Sequence, residues 1–349
     1  MLALIHAVRS PSGPALDERL CGLTLIERAV LLAQSKGAER ILVLVGEADL
    51  SVARAVEFHS RVRVRLEVTS DPTVPGAQFP SFELHYDCVA EVLLCDTAAR
   101  REAKRRLFDA CRKPVDGFIS RHLNRPISIA ISKLLVDTPV SPNALTVFTF
   151  SLSFAAAFFA VQGGYWPTLA AAFLMQWNSI LDGCDGELAR VRHQGSKLGQ
   201  WLDTIGDDAS NVIFWAALGY GARAIPEVGG WLALAGYVGA AGNGVAALAN
   251  YAVLAQLGSG DFYALDAGAK KNGVQKARSG WVGRLVGLVE LVLKQDFFLF
   301  LMLIVALLGL MHAALIGIAI GAVVTAINSL LRAVGFFTST RRSRGGSGQ

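Results

Sequence analysis

Apolar and charged residues are distributed unevenly along the chain, and the pattern changes near residue 140. Before that point charged residues recur every few positions, whereas after it long apolar stretches follow one another. The stretch from Leu145 to Leu181 contains no Asp, Glu, Lys or Arg. A helix needs about 20 mostly apolar residues to cross the hydrocarbon of a bilayer. The pattern therefore predicts a polar N-terminal domain followed by a membrane domain.

Six apolar stretches lie in the second part, and we expect each to form a transmembrane helix. The fifth is short, so its helix should begin within residues 291–296. The predicted spans are Asn143–Val161, Trp166–Arg190, Leu198–Tyr220, Trp231–Leu257, Phe297–Leu310 and Ala313–Phe337. Residues 141–338 are thus predicted to form an all-α polytopic domain of six transmembrane helices.

The connections between these stretches alternate in charge. Basic residues mark 190–197, 270–294 and 341–344, whereas 162–165, 223–230 and the turn near His312 carry no net charge. Cytoplasmic loops carry the excess of Lys and Arg in membrane proteins. We therefore expect a multi-pass protein of the inner or cytoplasmic membrane, with both termini and the tail 339–349 in the cytoplasm.

Residues 1–112 alternate between strand-like and helix-like stretches. Leu2–Val8 and Arg40–Val45 have the apolar composition of buried strands, and Thr24–Lys36 has helical periodicity that ends at Gly37. A shorter helix at 50–59, a half-exposed strand at 61–68 and a basic helix at 98–112 follow. This alternation predicts a small α/β cytosolic domain with a partly parallel sheet.

Residues 113–140 interleave basic and apolar side chains. This pattern is typical of an amphipathic helix that lies in the lipid headgroup region or docks on the membrane domain. We expect these residues to bridge the two domains.

The composition supports a membrane protein but excludes few classes of function. Hydrophobic residues make up 53% of the chain and charged residues 17%, against a usual charged share of about 25%. The net charge of +5 requires no nucleic-acid partner, because basic residues that orient spans account for it. The five cysteines lack metal-site spacing, which favours reduced thiols in a cytoplasmic setting.

Four carboxylates follow the uncharged stretch: Asp182, Asp185, Asp203 and Asp207. Spacings of three and four residues place each pair on one face of a helix. Two antiparallel helices joined by residues 191–197 would bring all four together. Such a cluster needs cations, and hard oxygen ligands indicate Mg²⁺ or Mn²⁺, with Ca²⁺ as a further possibility.

Small residues and one arginine accompany the aspartates. Gly186 and Gly199 each lie four residues from an aspartate and leave room for a substrate oxygen. Ala189 extends the small-residue face, and Arg190 supplies a planar cation suited to phosphate. The residues alone indicate phosphoryl or phosphodiester transfer at the membrane surface, in which a carboxylate not bound to metal can deprotonate an alcohol.

This arrangement resembles the signature of the CDP-alcohol phosphotransferase family, also called CDP-alcohol phosphatidyltransferases. Eight positions with fixed gaps carry the resemblance: Asp182, Asp185, Gly186, Ala189, Arg190, Gly199, Asp203 and Asp207. The resemblance implies a homodimeric six-helix enzyme of phospholipid or inositol-phosphate synthesis. Such an enzyme transfers a substituted phosphate from a CDP-linked donor, of the CDP-diacylglycerol or CDP-inositol type, to an acceptor hydroxyl and releases CMP.

The resemblance also implies roles for individual residues. Asp207 would be both metal ligand and general base. The other implied metal ligands are Asp182, Asp185 and Asp203, and the residues implied to accommodate the CDP moiety are Gly186, Ala189, Arg190, Gly199 and Asn143. The implied partners are the CDP-alcohol, an alcohol or phospho-alcohol acceptor, and membrane lipids.

The N-terminal domain resembles the start of a sugar-phosphate nucleotidyltransferase. The helix with Leu25–Arg28, the turn Gly37–Arg40 and the following strand carry this resemblance. The glycine-rich phosphate loop of that family is replaced by Arg9–Ala15, which has one Gly and two Pro, and Pro removes backbone donors. We therefore expect a degenerate domain, although the fusion is similar to archaeal and bacterial enzymes of inositol-phospholipid synthesis.

Two alternative functions stay open from the sequence. One is a bifunctional enzyme whose N-terminal domain also makes the CDP-alcohol from CTP. The other is an ion or proton-coupled transporter that uses the aspartate cluster, since intramembrane carboxylates also line ion pathways. Among the remaining ionisable residues, we expect Glu187 and Asp208 to be solvated or helix-end charges and His193 to be exposed.

Overall fold

The computed structural model describes residues 1–8, 14–71, 82–86, 88–113, 116–258 and 295–345 of the chain. Most of the loop Arg9–Ala15, the basic loop 270–294 and the last four residues lie outside these ranges. The chain divides into two compact units. The first unit comprises residues 1–114, 129–140 and 186–194, and the second comprises 115–128, 141–185 and 195–349.

The first unit contains a four-stranded sheet in which every pairing is parallel. The strand order is β5-β4-β1-β6. The strands are β1 (Leu2–Ala7), β4 (Arg40–Val45), β5 (Arg65–Thr69) and β6 (Phe82–His85), and two short antiparallel pairs accompany them, β2 (Arg19–Leu20) with β3 (Leu23–Thr24) and β7 (Cys88–Val89) with β8 (Val92–Leu93). The prediction of an α/β domain is confirmed.

Among the described residues of 1–114, the first unit has three α-helices: α1 (Leu25–Ser35), α2 (Leu50–Ala55) and α3 (Thr97–Asp109). Helix α1 begins where it does because the Thr24 hydroxyl accepts from the Glu27 N–H while the Glu27 carboxylate accepts from the Thr24 N–H. It ends before Gly37, whose φ of 88° suits glycine. The predicted helix at 50–59 is shorter than expected, since 3₁₀ turns at Glu47–Asp49 and Val56–Phe58 flank α2.

Two buried arginines bind backbone carbonyl oxygens of the first unit. Arg28 donates to the carbonyls of Leu20 and Val191 at 2.7 and 2.9 Å. Arg192 donates to the carbonyls of Val136 and Thr138 at 3.0 and 2.8 Å. These bonds hold residues 129–140 and 186–194 within the first unit.

A π-helical turn (Ser120–Asn124) and seven helices follow the first domain along the chain. The helices are α4 (Arg125–Leu135), α5 (Pro142–Ala160), α6 (Tyr165–Val191), α7 (Lys197–Ala222), α8 (Gly229–Leu257), α9 (Gln295–Leu307) and α10 (Met311–Gly345). Each predicted span coincides with one of α5 to α10. Within the described ranges, three helices are long and apolar enough to cross a membrane: α5, α8 and the part of α10 from Met311 to Thr338.

The second unit is built around α7, which packs against α5 on one side and α8 on another, and α8 packs in turn against α10. The α7–α8 crossing is close because both helices present glycine there. A Cβ on Gly236 would lie 2.5 Å from the Cα of Gly219. Small residues at such crossings are typical of membrane helices. Trp215 and Phe214 of α7 are buried in the core beside them, so this half of α7 is packed in the core.

Candidate functional site

Two serine caps fix where the site-bearing helices begin. The Ser141 hydroxyl accepts from the Ala144 N–H at 3.1 Å, with Pro142 in the first turn of α5. The Ser196 hydroxyl accepts from the Gly199 N–H at 2.9 Å and starts α7. The short connection between α6 and α7 is therefore residues 192–196, close to the predicted loop.

Three of the predicted aspartates lie together. Asp182 and Asp185 come from α6 and Asp203 from α7, and each offers a carboxylate oxygen within 4.8 Å of the other two. Asp185 is buried and accepts a hydrogen bond from the hydroxyl of Thr146 on α5. Three helices thus converge on this cluster, which we call the aspartate cluster.

Asp207 lies beside the aspartate cluster. Its carboxyl group and that of Asp203 both contact the carboxyl of Asp182. Asp207 also lines one pocket with Asp182 and Asp203. It is outside the set of three mutually close ligand atoms, so its role as a metal ligand stays a prediction.

The donor set of the aspartate cluster fits a divalent cation of the hard class. Ligand oxygens on opposite sides of one Mg²⁺ or Ca²⁺ are about 4–5 Å apart, twice the usual metal–oxygen distance. The separations within the cluster fall inside this limit. Carboxylates held this close repel one another unless a cation or proton lies between them. The cluster is therefore consistent with a metal site.

Asn143 and Gly199 meet at the starts of α5 and α7. A Cβ on Gly199 would lie 3.0 Å from the Asn143 Oδ1 and 3.1 Å from the Ser196 Oγ. Asn143 is exposed and Gly199 half-buried. Only a residue without a side chain leaves the Asn143 amide in its present place.

Gly186, Ala189 and Arg190 lie on the last two turns of α6. Ala189 is half-buried and Arg190 exposed. The guanidinium of Arg190 lies over Gly186, with its Nη1 3.0 Å from the position a Cβ would take there. These residues belong to the first unit, and they follow the aspartates along the same helix.

Three features near the site were not predicted from the sequence. Thr146 orients Asp185, and the buried Asn178 lines the pocket beside Asp182. The Tyr251 hydroxyl donates to Asp208 at 2.7 Å. Only Asn178 had a sequence signal, because it lies four residues before Asp182 and so on the same helical face. The other two contacts depend on which helices become neighbours.

The expectations for Glu187 and Asp208 were wrong. Glu187 is fully buried and accepts from the Ser132 hydroxyl at 2.7 Å. Asp208 is half-buried and bonded to Tyr251, so it is a packed residue of α7. Their positions off the aspartate face turn them towards other helices, where hydroxyl groups bind them.

His193 is half-buried, which also differs from the expected exposure. Burial, followed by the positive charges of Arg28 and Arg61, lowers the pKa of His193 to about 4. The imidazole is therefore neutral at pH 7. It packs in the first unit beside the carbonyl-binding arginines.

Comparison with known proteins identifies related sequences. Residues 139–334 match the sequence profile described as CDP-alcohol phosphatidyltransferase. A "Bifunctional IPC transferase and DIPP synthase" of Aquifex aeolicus is 44% identical over 118 residues, which are 34% of this chain and 26% of the relative.

Two further relatives extend the comparison. The "Inner membrane protein YnjF" of Escherichia coli is 32% identical over 34% of this chain and 57% of its own length. The "Archaetidylinositol phosphate synthase" of Pyrococcus horikoshii is 33% identical over 26% of this chain and 47% of its own length. The match thus spans 26% of the Aquifex relative and 57% of the E. coli one.

Proposed function

The chain belongs to the CDP-alcohol phosphatidyltransferase family, and on that premise we propose that it transfers a substituted phosphate from a CDP-alcohol to an acceptor hydroxyl and releases CMP. The observation that carries the proposal is the aspartate cluster with Asp207 beside it. Carboxylates converging from α6 and α7 form a site for a metal-bound diphosphate, and the reaction breaks a bond within that group.

The aspartates serve two tasks in this proposal, metal binding and proton transfer. Asp182, Asp185 and Asp203 bind Mg²⁺ or Mn²⁺, and the Thr146 hydroxyl holds Asp185 in position to do so. An ion held by these carboxylates would supply positive charge for the phosphate oxygens and the leaving CMP. Asp207 is a further ligand and accepts the proton of the acceptor hydroxyl as it attacks the phosphorus. The P–O bond to CMP breaks as the new phosphoester bond forms.

The first turns of α5 and α7 supply the nucleotide side of the site. Asn143 presents a carboxamide, and Gly199 leaves the space that this amide occupies. Gly186 and Ala189 are small, and Arg190 has an exposed guanidinium that suits a phosphate oxygen. We assign these residues to the CDP moiety.

We place this reaction at the cytoplasmic face of the inner membrane. Three helices of spanning length and the inner-membrane relative support a membrane protein. We propose that α6, α7 and α9 complete a six-span domain over residues 141–338, that residues 1–112 form the cytosolic domain, and that the protein is a homodimer. Aspartates at the cytoplasmic ends of α6 and α7 let a soluble CDP head group meet a lipid tail.

One relative suggests substrates of the inositol class, because the archaetidylinositol phosphate synthase carries inositol in its name. We propose an inositol-type alcohol on one side of the reaction. If the first domain also made the donor, purified protein would consume CTP with an alcohol phosphate. If the chain were a transporter, liposomes would accumulate an ion or solute without any CDP-alcohol.

The decisive test is CMP release from a panel of CDP-alcohols and hydroxyl acceptors by the purified protein with Mg²⁺. Asp207→Asn should lower this rate by at least about 100-fold, the usual contribution of a general base. Asp208→Asn is the matched control, since its carboxyl is bound to Tyr251, and it should retain activity within a few-fold. Equal activity of Asp207→Asn and the wild type would refute the proposed chemistry.

A further inference from the structure

One polar side chain of the pocket is not explained by the proposed roles. Asn178 lies on α6 one helical turn before Asp182 and is 5% exposed. Its Oδ1 is buried and has no hydrogen-bond partner among the residues that the structure describes. The side chain lines the same pocket as Asp182, Asp203 and Asp207.

Two hydroxyl side chains complete the inner end of this pocket. Thr149 of α5 and Ser210 of α7 are 3% and 2% exposed, and both line it with Asn178. The Thr149 hydroxyl donates its proton to the carbonyl of Thr146 at 2.9 Å, so this proton is not available to Asn178 Oδ1. Carboxylates and the Asn178 side chain, whose Oδ1 has no partner in the described part of the chain, thus line one pocket.

Carboxylate and amide oxygens that line one buried pocket need a positive ion or a hydrogen-bond donor among them. A buried amide oxygen without a donor destabilises a fold, and an apolar side chain of similar volume would avoid that cost. The surrounding stretch of α6 is rich in such apolar residues. The amide at Asn178 is therefore best explained by a ligand that donates to it.

The distance along the helix limits what this ligand can be. Asn178 lies seven residues before Asp185, a rise of about 10 Å along the helix, whereas the oxygens of the aspartate cluster lie within 4.8 Å of one another. Asn178 is thus too far from Asp185 to share the cluster's direct ligand positions. Mg²⁺ keeps several of its waters when protein carboxylates bind it, and such waters are hydrogen-bond donors.

We propose that Asn178 Oδ1 accepts a hydrogen bond from a water bound to the divalent cation of the aspartate cluster, as a positioning residue of that site. The inference rests on the metal site of the proposed function. Groups that bind ligands of a metal from outside its coordination shell set its affinity, and removing one commonly weakens binding about 10- to 100-fold.

The test is Asn178→Leu in the full chain, purified in nanodiscs and titrated with Mn²⁺ alone by electron paramagnetic resonance. We expect the Kd for Mn²⁺ to rise about tenfold. Thermal unfolding should show that the variant is not destabilised in the absence of metal, although its metal binding is weaker. Without divalent ions the variant should melt at the wild-type temperature or above it, because a buried unpaired acceptor has been removed, while the increase in Tm on adding Mg²⁺ should shrink.

The matched control is Thr168→Val on the same helix. Its Oγ1 is also buried without a partner in the described part of the chain, and the residue is 3% exposed. It lies ten residues before Asn178, about 15 Å along the helix. Mn²⁺ affinity should be unchanged in this variant.

Three results would overturn the inference. The first is an Mn²⁺ affinity of Asn178→Leu equal to that of the wild type. The second is a Tm of Asn178→Leu that falls equally with and without Mg²⁺. The third is an Mn²⁺ affinity that Thr168→Val weakens as much as Asn178→Leu does. If Asn178→Leu fails to fold, Asn178→Asp replaces it, and loss of Mn²⁺ binding in that more acidic variant would also contradict the inference.

Failure of this inference and failure of the proposed reaction are separable. If the wild type releases CMP but Asn178→Leu binds Mn²⁺ normally, the proposed reaction stands and the role of Asn178 is refuted. If the wild type releases no CMP but its Mn²⁺ affinity depends on Asn178, the role of Asn178 stands and the proposed reaction is refuted.

Discussion

Hydroxyl side chains organise the site at the scale of single residues. Ser141 and Ser196 start the two helices that carry Asn143 and the second pair of aspartates, and Thr146 orients Asp185. The two serine bonds are local caps, whereas the Thr146 hydroxyl binds the Asp185 carboxylate directly. The site therefore depends on the exact starting points of α5 and α7 as much as on its charged residues.

Gly199 gives a prediction at this scale. In Gly199→Ala the new methyl would lie 3.0 Å from the Asn143 Oδ1 and 3.1 Å from the Ser196 Oγ, so the amide or the cap must move. The neighbouring atoms must give by a few tenths of an ångström. Because a misplacement of about 1 Å can cost about 100-fold in rate, we expect kcat/KM for the CDP-alcohol to fall about threefold.

Gly195→Ala is the control for that measurement, because nothing lies within 4 Å of a Cβ at this position. It should retain wild-type kinetics. Normal kinetics of Gly199→Ala would show that Asn143 does not contribute to donor binding.

The aspartate cluster was accessible from sequence because its members are close along two helices and share faces at spacings of three and four. The bond from Thr146 to Asp185 was not, because it joins residues 39 positions apart. The burial of Glu187 was missed for the same reason, since Ser132 lies 55 positions away. Residue spacing predicts which side chains share one face of a helix. Which residues of other helices contact that face depends on how the helices pack.

At the scale of elements, the chain uses one arginine to close the end of α4. The guanidinium of Arg192 donates to the carbonyls of Leu135, Val136, Thr138 and Val140. The last carbonyls of a helix have no partner within the helix, and a planar guanidinium with five donors can bind several of them at once.

We predict that Arg192→Ala destabilises the protein by about 2–3 kcal/mol, since one buried and three half-buried carbonyls would lose a charged donor. This should appear as a Tm lower by several degrees. Arg192→Lys should recover only part of the loss, because an ammonium group cannot reproduce the fork geometry.

Arg65→Ala serves as the surface control for this experiment. Arg65 is 72% exposed and pairs with Glu67, so its removal should change stability by less than about 0.5 kcal/mol. If both variants melted alike, Arg192 would have no special role in holding α4.

Helix bounds were predictable to within a few residues wherever a cap or a glycine marks them, as at Thr24 and Gly37 for α1. The predicted helix at 50–59 was less accurate. Only residues 50–55 are α-helical, and 3₁₀ turns continue it on both sides. No capping hydroxyl binds the start of this segment, so its periodicity alone could not define its ends.

At the scale of the whole molecule, the surface of the long helices is apolar. Phe158 of α5, Leu248 of α8 and Leu331 of α10 are 65%, 68% and 65% exposed. Large apolar side chains at this exposure are unfavourable in water and stable in lipid. The hydropathy pattern predicted this surface directly, because lipid selects apolar residues on every outward face.

The proposed six-span topology leads to the last prediction, in which successive loops lie on opposite sides of the membrane. Cysteines introduced at Gln162 and Val228, both exposed between helices, should react with an impermeant maleimide in intact cells. A cysteine at Gly195, next to the aspartate-bearing helices, should react only after permeabilisation. The exposed native Cys88 and Cys95 test the position of the first domain and should also be protected in intact cells.

This expected labelling pattern follows from the charges of the loops. Residues 190–197 contain three basic side chains and no acidic one, whereas residues 162–165 are uncharged, and basic loops stay on the cytoplasmic side. Labelling at Gly195 in intact cells would place the aspartate cluster on the outer side, away from a cytosolic nucleotide. That outcome would contradict both the topology and a reaction that uses a CDP-linked donor from the cytoplasm.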